Sequence, residues 1–145
     1  MLRIGIIGIG NMGRAHAGYI AAGEIEGAEL TAVCDTHDSA LKWAETQFEG
    51  KVQRFTSADD LLSSGTVDGV IIATPHYEHP PLAIKAFQAG LHVLVEKPAG
   101  VYTKQVKEMN AAAAQSDRVF GIMFNQRTNP LYQKVRDLVQ SGEVG

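Results

Sequence analysis

The sequence predicts an α/β domain in which helices cover both faces of a doubly wound, mostly parallel sheet. Short apolar runs rich in Val, Ile or Leu alternate along the chain with segments of helical spacing. The runs lack a polar face, as strands buried on both sides do. Helical crossovers of about ten to fifteen residues join such runs as parallel strands in a right-handed sense. A glycine-rich turn directly after the first run is also typical of this fold.

The predicted elements follow a strict β-α order. Strands are predicted at residues 2–7, 30–34, 67–73, 92–95 and 119–124, with a weaker edge strand at 52–55. Helices are predicted at residues 14–22, 38–48, 58–62, 81–89, 104–115 and 130–140. Ser57 and Thr103 are predicted helix caps, and Gly90 is predicted to stop the helix before it.

Composition narrows the class of protein. The 145 residues are 45% hydrophobic and 20% charged, which suits one globular domain. A net charge of -3 offers no basic surface to nucleic acid or to an anionic membrane, so neither partner is expected. The single cysteine, Cys34, can form no internal disulfide, and no Cys/His cluster has metal-site spacing. The apolar run at the amino terminus is too short for a signal peptide, and a cytoplasmic protein without a bound metal is expected.

The stretch GIGNMG directly follows the first predicted strand. Gly8, Gly10 and Gly13 fit G-x-G-x-x-G, in which the glycines permit a tight turn, close approach of a pyrophosphate and close packing of helix on strand. A helix starting near Asn11 would point free N–H groups and its positive dipole end at phosphates. The alternative is a close-packed corner that holds no ligand. The candidate pyrophosphate-binding residues are Gly8, Ile9, Gly10, Asn11, Met12 and Gly13.

An acidic residue, Asp35, ends the second predicted strand, 22 positions after Gly13. In this fold a carboxylate there accepts hydrogen bonds from the adenosine ribose. It would repel a 2'-phosphate, and the next three residues, 36–38, include no Arg or Lys. NAD is therefore favoured over NADP as the cofactor. The alternative role of Asp35 is to cap the helix that follows, and the two roles are compatible.

Polar side chains also follow three other predicted strands. The segments TPHYEHPP, EKPAG and NQRTNP come directly after the strands at 67–73, 92–95 and 119–124. Because ligands of open α/β sheets bind outside the carboxyl ends of the strands, these segments are expected to meet in one crevice that holds a nicotinamide and its substrate. The residues expected there are Thr74, Pro75, His76, His79, Glu96, Lys97, Asn125 and Arg127.

Five blocks of the sequence share their order and spacing with a known family. The blocks are GIIGIGNMGRAH, AVCD, VIIATPHYEH, AFQAGLHVLVEKP and FNQRTNPLYQKVRDLVQSGEVG, and they extend over the whole chain. They resemble the glucose-fructose oxidoreductase, inositol dehydrogenase and rhizopine-catabolism (Gfo/Idh/MocA) group of NAD(P)-dependent oxidoreductases. The resemblance implies a Rossmann fold with an NAD(P)-binding domain at residues 1–125. It also implies that residues 126–145 lead into a carboxyl-terminal substrate domain that this chain lacks. His76 departs from the family, which usually has Asn there.

The resemblance further implies that Lys97 lies beside nicotinamide and substrate and takes part in proton transfer. When hydride leaves an alcohol carbon, the hydroxyl proton must also leave, and a partly desolvated lysine beside a cationic ring can take it. The adjacent Glu96 would oppose this, so we expect the two side chains to diverge. The alternative for Lys97 is a solvated surface lysine. The Lys97-Pro98 bond is a candidate cis peptide, as in many members of the family.

Several other residues have structural roles to weigh against functional ones. His79 could cap the helix that follows it, and His76 could bond a loop carbonyl, instead of contacting the cofactor. The residues expected to be structural are His16, Cys34, Trp43, Phe48 and His92.

Two functions of different class fit this sequence. The first is an NAD-dependent oxidoreductase acting on a hydroxyl-bearing carbon of a sugar, inositol or similar polyol, with catalysis completed outside this chain and little turnover by the chain alone. The second is a free-standing NAD-binding redox sensor or regulatory module. Lys97 favours the first, because a sensor needs no proton-transfer group. A reductase of a C=N bond or a tetrapyrrole would share the same fold. A full-length form is expected to be a homo-oligomer.

Overall fold

A computed structural model describes residues 1–144 and contains one six-stranded sheet. The strands are β1 (Leu2–Ile7), β2 (Ala28–Cys34), β3 (Gln53–Phe55), β4 (Gly69–Ile72), β5 (His92–Val95) and β6 (Phe120–Ile122). Their order is β3-β2-β1-β4-β5-β6, and all neighbouring strands are parallel. The order changes direction between β1 and β4, so a ligand crevice is expected at the carboxyl ends of these two strands. The predicted doubly wound fold is confirmed.

Helices cover both faces of the sheet. They are α1 (Asn11–Ala21), α2 (Asp38–Gln47), α3 (Ala58–Ser63), α4 (His79–Gln88), α5 (Thr103–Gln115) and α6 (Pro130–Gln140). One apolar core lies under α3, α4 and α5 and includes Leu61, Phe87 and Met109. The second lies under α1 and α2 and includes Ile20 and Leu41. None of these helices combines the length and the apolar character that a membrane span requires.

Three helices, α1, α4 and α5, begin before the first residue of their predicted ranges. Helix α1 begins at Asn11 rather than at residue 14, because the extended backbone of Gly10 forms its N-cap. Helix α4 begins at His79, and prolines occupy its next two positions, where a missing N–H leaves no bond unmade. The predicted cap at Ser57 is confirmed, since its hydroxyl accepts the N–H of Asp60. The predicted cap at Thr103 is wrong, because this residue is already helical.

Helix α4 ends where the sequence predicts. Its last helical residue is Gln88, and Gly90 follows with a φ of +74°. This left-handed conformation favours glycine, so Gly90 ends the helix as expected.

Helix α6 is exposed along its length although one of its faces is apolar. Leu131, Val135 and Val139 are each more than half exposed, and no residue of the helix is buried. Asn129 caps the helix by accepting the N–H of Leu131. The helix predicted at residues 130–140 is therefore confirmed, while its role as a connection to another domain stays a prediction. Gly145, the last residue of the predicted 126–145 segment, lies outside the described residues.

An ion pair joins the start of β1 to the chain that leads into β4. The guanidinium of Arg3 contacts the carboxylate of Asp68 at 2.6 Å, and the backbone N–H of Arg3 donates to the same carboxylate at 2.9 Å. In return, the N–H of Asp68 donates to the carbonyl of Arg3 at 2.8 Å. The hydrogen bond from the Arg3 side chain is the main cause that lowers the pKa of Asp68 to about 2.

This pair predicts a pH-dependent contribution to stability. The pKa of Asp68 is lower in the folded protein than the value of about 3.9 in the unfolded chain. The ionised side chain therefore stabilises the fold at a pH above about 3.9, and this contribution is lost as the pH falls toward about 2. We expect Asp68→Asn to lower the free energy of unfolding at neutral pH, with a difference from wild type that shrinks between about pH 5 and pH 2. Denaturant unfolding across this range measures it. Asp117→Asn, at an exposed side chain, is the control, and a difference for Asp68→Asn that does not depend on pH would contradict the assignment.

Candidate functional site

Two adjoining cavities lie at the carboxyl ends of β1, β4 and β5. The larger, of about 680 Å³, lies between the glycine turn, the end of β2 and the segment after β4, and is called the large chamber here. The smaller, of about 240 Å³, lies between the start of α1 and the ends of β4 and β5, and is called the small chamber. Both lie where the strand order changes direction, as expected for a ligand site in an open α/β sheet.

The glycine turn is shaped by close backbone contacts. A Cβ on Gly8, which has a φ of +94°, would come within 2.8 Å of the backbone of Ala73 and Thr74. A Cβ on Gly13 would overlap the carbonyl oxygen of Gly8. A Cβ on Gly10 would meet no atom within 4 Å, so this glycine faces open space. The first and third glycines therefore serve packing, and the second leaves the backbone open to a ligand, as the motif predicts.

The first turn of α1 has no side-chain cap. Its N-cap is Gly10, which has no side chain to accept the N–H groups there. Helices α2, α4 and α5 also lack a side-chain cap, whereas Ser57 caps α3 and Asn129 caps α6. The first N–H groups of a helix lack partners within the helix, and together with the helix dipole they attract an anion. The start of α1, at Asn11 and Met12, fits a phosphate group.

Asp35 lies at the end of β2 and faces the glycine turn. One carboxylate oxygen accepts the N–H of Ile9 at 2.7 Å, and the other accepts the N–H of His37 at 2.9 Å. The ring Nδ1 of His37 lies 3.0 Å from this second oxygen. Burial raises the pKa of Asp35, but the hydrogen bonds from Ile9 and His37 outweigh it and leave the pKa below its ordinary value. Asp35 is therefore a carboxylate at neutral pH. The N-cap of α2 is His37, so the alternative in which Asp35 caps this helix is wrong.

Cys34, directly before Asp35, is buried at the wall of the large chamber. Burial, with a smaller contribution from Asp35, raises the pKa of its thiol to about 11. The thiol is therefore protonated at neutral pH, in agreement with the expectation of a structural cysteine.

The structure adds Arg14 to this part of the site. The Nε of Arg14 donates to the carbonyl of Ile9 at 3.2 Å, and its guanidinium lies 4.7 Å from the centre of the Trp43 ring. Trp43 in turn packs edge-on against Phe48, with ring centres 5.6 Å apart. Residues 36–38 contain no Arg or Lys, whereas this cation comes from a different helix, α1. The arginine directly after the third glycine was the available signal.

An apolar wall of the large chamber also escaped the sequence analysis. Ala58 at the start of α3 and Leu82 in α4 line this chamber together with Pro75. Glu78 adds a carboxylate beside them. Each of these apolar residues would also suit an ordinary helix core, so the sequence gives no sign that it lines a ligand chamber. The wall can take a flat apolar ring, with Asp35 across the chamber.

The small chamber contains an unpartnered hydroxyl and a free cation. The Oγ1 of Thr74 is buried and has no hydrogen-bond partner within residues 1–144. Lys97 is exposed at the chamber, and no described residue hydrogen-bonds its ammonium group. A buried hydroxyl without a partner is unfavourable, so its place in a chamber wall fits a hydrogen bond to a ligand. The Lys97-Pro98 peptide is cis, as expected.

The carboxylate of Glu96 is paired with His16. Glu96 is 5% exposed, and one of its carboxylate oxygens lies 2.7 Å from Nε2 of His16 in α1. The other oxygen accepts the backbone N–H of Lys97 at 3.1 Å. The Glu96 carboxylate is therefore paired with His16 and not with the Lys97 ammonium group, although both residues line the small chamber, and the expected divergence of the two side chains stays a prediction. His16, expected to be structural, ties α1 to the end of β5 through this contact.

The two histidines after β4 occupy different environments. His76 is exposed in a 3₁₀ turn, His76–Glu78, and borders the small chamber. His79 is fully buried, and both of its ring nitrogens lie within hydrogen-bond distance of backbone carbonyl oxygens, of Thr74 at 2.9 Å and of Pro98 at 2.8 Å. Its side chain therefore does not cap α4, of which it is the first residue. Any contact between this ring and a ligand must leave room for these two bonds.

Asn125 and Arg127 are not brought to the two chambers. Both lie in the 3₁₀ turn Asn125–Thr128 after β6, where Arg127 lies over the Phe124 ring and faces a separate surface cavity beside α6. Strand β6 is at the edge of the sheet, two strands away from β4, which accounts for the separation. The expectation that Asn125 and Arg127 lie in the shared crevice is wrong. Asn125 lines neither chamber, so its contact with a cofactor stays a prediction.

No candidate metal site occurs among residues 1–144. Within residues 1–144, no group of three or more His, Cys, Asp or Glu side chains converges so that it could hold a metal ion.

The contact of Gly13 with Gly8 predicts the effect of a single methyl group. We expect Gly13→Ala to lower the free energy of unfolding by about 1–3 kcal/mol, because the Cβ would overlap a backbone oxygen that cannot move freely. Gly18→Ala is the matched control in the same helix. A Cβ there meets no atom within 4 Å, so it should raise the free energy of unfolding by roughly 0.5–1 kcal/mol. Denaturant unfolding of both variants measures this, and equal effects would show that the contact is not close.

Comparison with known proteins identifies relatives over the whole chain. The sequence model of the GFO_IDH_MocA family, an oxidoreductase family with an NAD-binding Rossmann fold, matches residues 2–124. An inositol 2-dehydrogenase of Corynebacterium glutamicum (strain R) is 32% identical over 145 residues, covering 99% of this chain and 42% of that protein. A glycosyl hydrolase family 109 protein of Shewanella baltica (strain OS195) is 31% identical over 153 residues, covering 100% of this chain and 33% of that protein.

A solved structure agrees with the sequence relatives. The scyllo-inositol dehydrogenase of Lactobacillus casei, with bound NAD(H) and scyllo-inositol, superposes with a TM-score of 0.92 at 31% sequence identity. The match covers 100% of this chain and 42% of that one. The chain thus spans less than half the length of these relatives. Because the family model covers most of the chain, this chain belongs to the Gfo/Idh/MocA oxidoreductase family with an NAD-binding Rossmann fold.

Proposed function

We propose that this chain binds NAD(H) as the cofactor-binding part of a dehydrogenase that acts on a hydroxyl-bearing carbon of inositol, a sugar or a similar polyol. Residues 1–125 form the cofactor domain in this proposal, and residues 126–145 connect it to a substrate domain. The inositol dehydrogenases among the relatives support the substrate class. When bound, NAD would supply the hydride acceptor, and the residues of this chain would hold it and handle the proton.

The observation that carries the proposal is the charged Asp35 facing the glycine turn. Its carboxylate is oriented by the N–H groups of Ile9 and His37, and it lies in the wall of the large chamber. A carboxylate has more acceptor positions than these bonds fill, so it can also accept both hydroxyls of a ribose. Across the chamber, the apolar wall of Ala58 and Leu82 suits the adenine ring.

The same carboxylate favours NAD over NADP. The 2'-phosphate of NADP would bring its negative charge against Asp35, which is charged at neutral pH because its pKa is lowered. Arg14 lies on the other side of Ile9 and provides a cation close to the turn. We therefore expect discrimination to depend on Asp35, with Arg14 available to a phosphate once that carboxylate is removed.

The pyrophosphate and the nicotinamide have places in the remaining part of the site. The open face of Gly10 and the uncapped first turn of α1 fit the pyrophosphate. The small chamber, with the free hydroxyl of Thr74, fits the nicotinamide and its amide group. The candidate contacts there are Thr74, Pro75, His76, Glu96 and Lys97.

Lys97 is the candidate catalytic residue. Its ammonium group is exposed at the small chamber, while the Glu96 carboxylate is paired with His16 and not with this group. Positioned there, Nζ as an ammonium group can donate a hydrogen bond to the substrate oxygen, and as a neutral amine it can accept the hydroxyl proton while hydride leaves the same carbon for the nicotinamide. The alternative is an ordinary solvated lysine. The position of Lys97 in the wall of the small chamber argues against it.

Helix α6 supports the proposed connection to a second domain. Its apolar residues Leu131, Val135 and Val139 are exposed, whereas such a stripe is normally buried against another element. The relatives are more than twice as long as the part of them that this chain matches. A domain that packs on this stripe would bury it.

Cofactor binding is tested first with Asp35→Ala. We expect calorimetry to show that the chain binds NADH more tightly than NADPH. The variant should bind NADH about 10- to 100-fold more weakly, because hydrogen bonds to a charged group are worth about 1.5–3 kcal/mol. It should also lose or reverse the preference for NADH over NADPH. Asp38→Ala, at the exposed acidic residue three positions later, is the control. An unchanged nucleotide preference in Asp35→Ala would remove the basis of the assignment.

The role of Lys97 is tested with Lys97→Met. In the form of the protein that reduces NAD with an inositol substrate, we expect kcat to fall about 10²- to 10⁴-fold, the usual contribution of a general acid or base. The Kd for NADH should change little. Lys85→Met, which removes a surface ion pair with Asp59, is the control for loss of a lysine. A glycoside substrate is assayed in parallel because of the glycosyl hydrolase relative. If kcat is unchanged, Lys97 is not the proton-transfer group.

A further inference from the structure

The ring of His79 lies between two backbone carbonyl oxygens that belong to different loops. Nε2 is 2.9 Å from the carbonyl oxygen of Thr74, in the segment after β4. Nδ1 is 2.8 Å from the carbonyl oxygen of Pro98, in the segment after β5. The side chain is 0% exposed, so neither nitrogen has access to bulk water. Both separations are those of ordinary N–H···O hydrogen bonds.

Carbonyl oxygens only accept hydrogen bonds, so each ring nitrogen must carry a proton to form its bond. A neutral imidazole has one N–H, and its other nitrogen is an acceptor. In that state a nitrogen lone pair would face a carbonyl lone pair at less than 3 Å in a buried place. Only the doubly protonated ring satisfies both contacts. We infer that His79 is a buried imidazolium cation that clamps the two loops bordering the small chamber.

The charged groups around the ring act in both directions. The N-terminus of α4, where His79 is the first residue, disfavours a cation through the helix dipole, and Lys97 borders the same chamber with the same sign. Glu96, buried and also bordering the chamber, carries the opposite charge, but its oxygens contact His16 and the backbone N–H of Lys97 and not the His79 ring. His76 packs its ring edge against the His79 ring at 5.6 Å. Two charge-assisted hydrogen bonds offset the loss of hydration of the buried charge.

The clamp connects segments that carry different parts of the proposed site. The Thr74 segment provides the free hydroxyl of the small chamber, and the Pro98 segment directly follows Lys97. A residue that donates only one of the two bonds would leave one loop without its anchor. His79 is therefore a positioning residue, and it acts on a ligand through the two loops. Its effect on NADH rests on the proposed function, whereas its charge state does not.

The charge state is tested without any ligand. A long-range ¹H–¹⁵N spectrum of the ¹⁵N-labelled chain at about pH 7.5 distinguishes protonated from unprotonated ring nitrogens, and the signal missing from His79→Gln assigns the ring. We expect both nitrogens of His79 to be protonated. His92 provides the internal reference, since its Nδ1 accepts the N–H of Val119 and must be unprotonated. One unprotonated nitrogen in the His79 ring would overturn the inference.

The positioning role is tested with His79→Gln. Its amide nitrogen can donate to one carbonyl, but its own oxygen would face the other, so we expect NADH affinity to fall about tenfold or more. His92→Gln, which keeps an acceptor for Val119, should leave NADH affinity unchanged. If His79→Gln binds NADH as tightly as wild type does, the positioning role is wrong. If this variant does not fold, the ring spectrum of the wild-type protein decides the proposal. Failure of wild type to bind NADH would instead refute the proposed function and leave the charge state standing.

Discussion

The close contact between helix α1 and the end of β1 determines where the other parts of the site lie. Gly13 rests on the carbonyl of Gly8, with no room for a side chain between them. This contact places the start of α1 over the crevice and orients the peptide of Ile9, whose N–H holds Asp35 and whose carbonyl accepts from Arg14. One turn further along, His16 reaches Glu96 at the end of β5. The position of a single helix thus sets the contacts of three strand ends.

Both loops at the small chamber are held by backbone carbonyl groups and buried ionisable side chains. Glu96 binds the N–H of Lys97 and the ring of His16, while His79 binds the carbonyls of Thr74 and Pro98. Polar groups buried in this way are satisfied in one geometry and are costly to leave unpaired. The loops therefore have a defined arrangement before a ligand arrives. Lys97 and the hydroxyl of Thr74 are among the polar groups that remain available to that ligand.

Local patterns in the sequence were sufficient to predict the fold and the position of Asp35 beside the glycine turn. Buried parallel strands appear as uninterrupted apolar runs, and the spacing of Gly8, Gly10, Gly13 and Asp35 is that of one β-α-β unit. The partners of His16 and His79 were not predictable, because each joins segments that meet only after the sheet has formed. Arg14 was not predicted although its bond to the Ile9 carbonyl is local, because a cation was expected only among residues 36–38. Arg127 was placed wrongly because the sequence does not show how far an edge strand lies from the crevice.

The raised pKa of Cys34 affects how the site responds to oxidants. The thiol is 3% exposed and has a pKa of about 11, so only a fraction on the order of 10⁻⁴ is thiolate at neutral pH. Peroxides and electrophiles react with the thiolate, and they would have to reach a sulfur that is buried in the wall of the large chamber. The sulfur next to Asp35 is therefore protected from oxidative damage as long as β2 stays in the sheet. Modification of this single thiol would report the opening of the chamber wall.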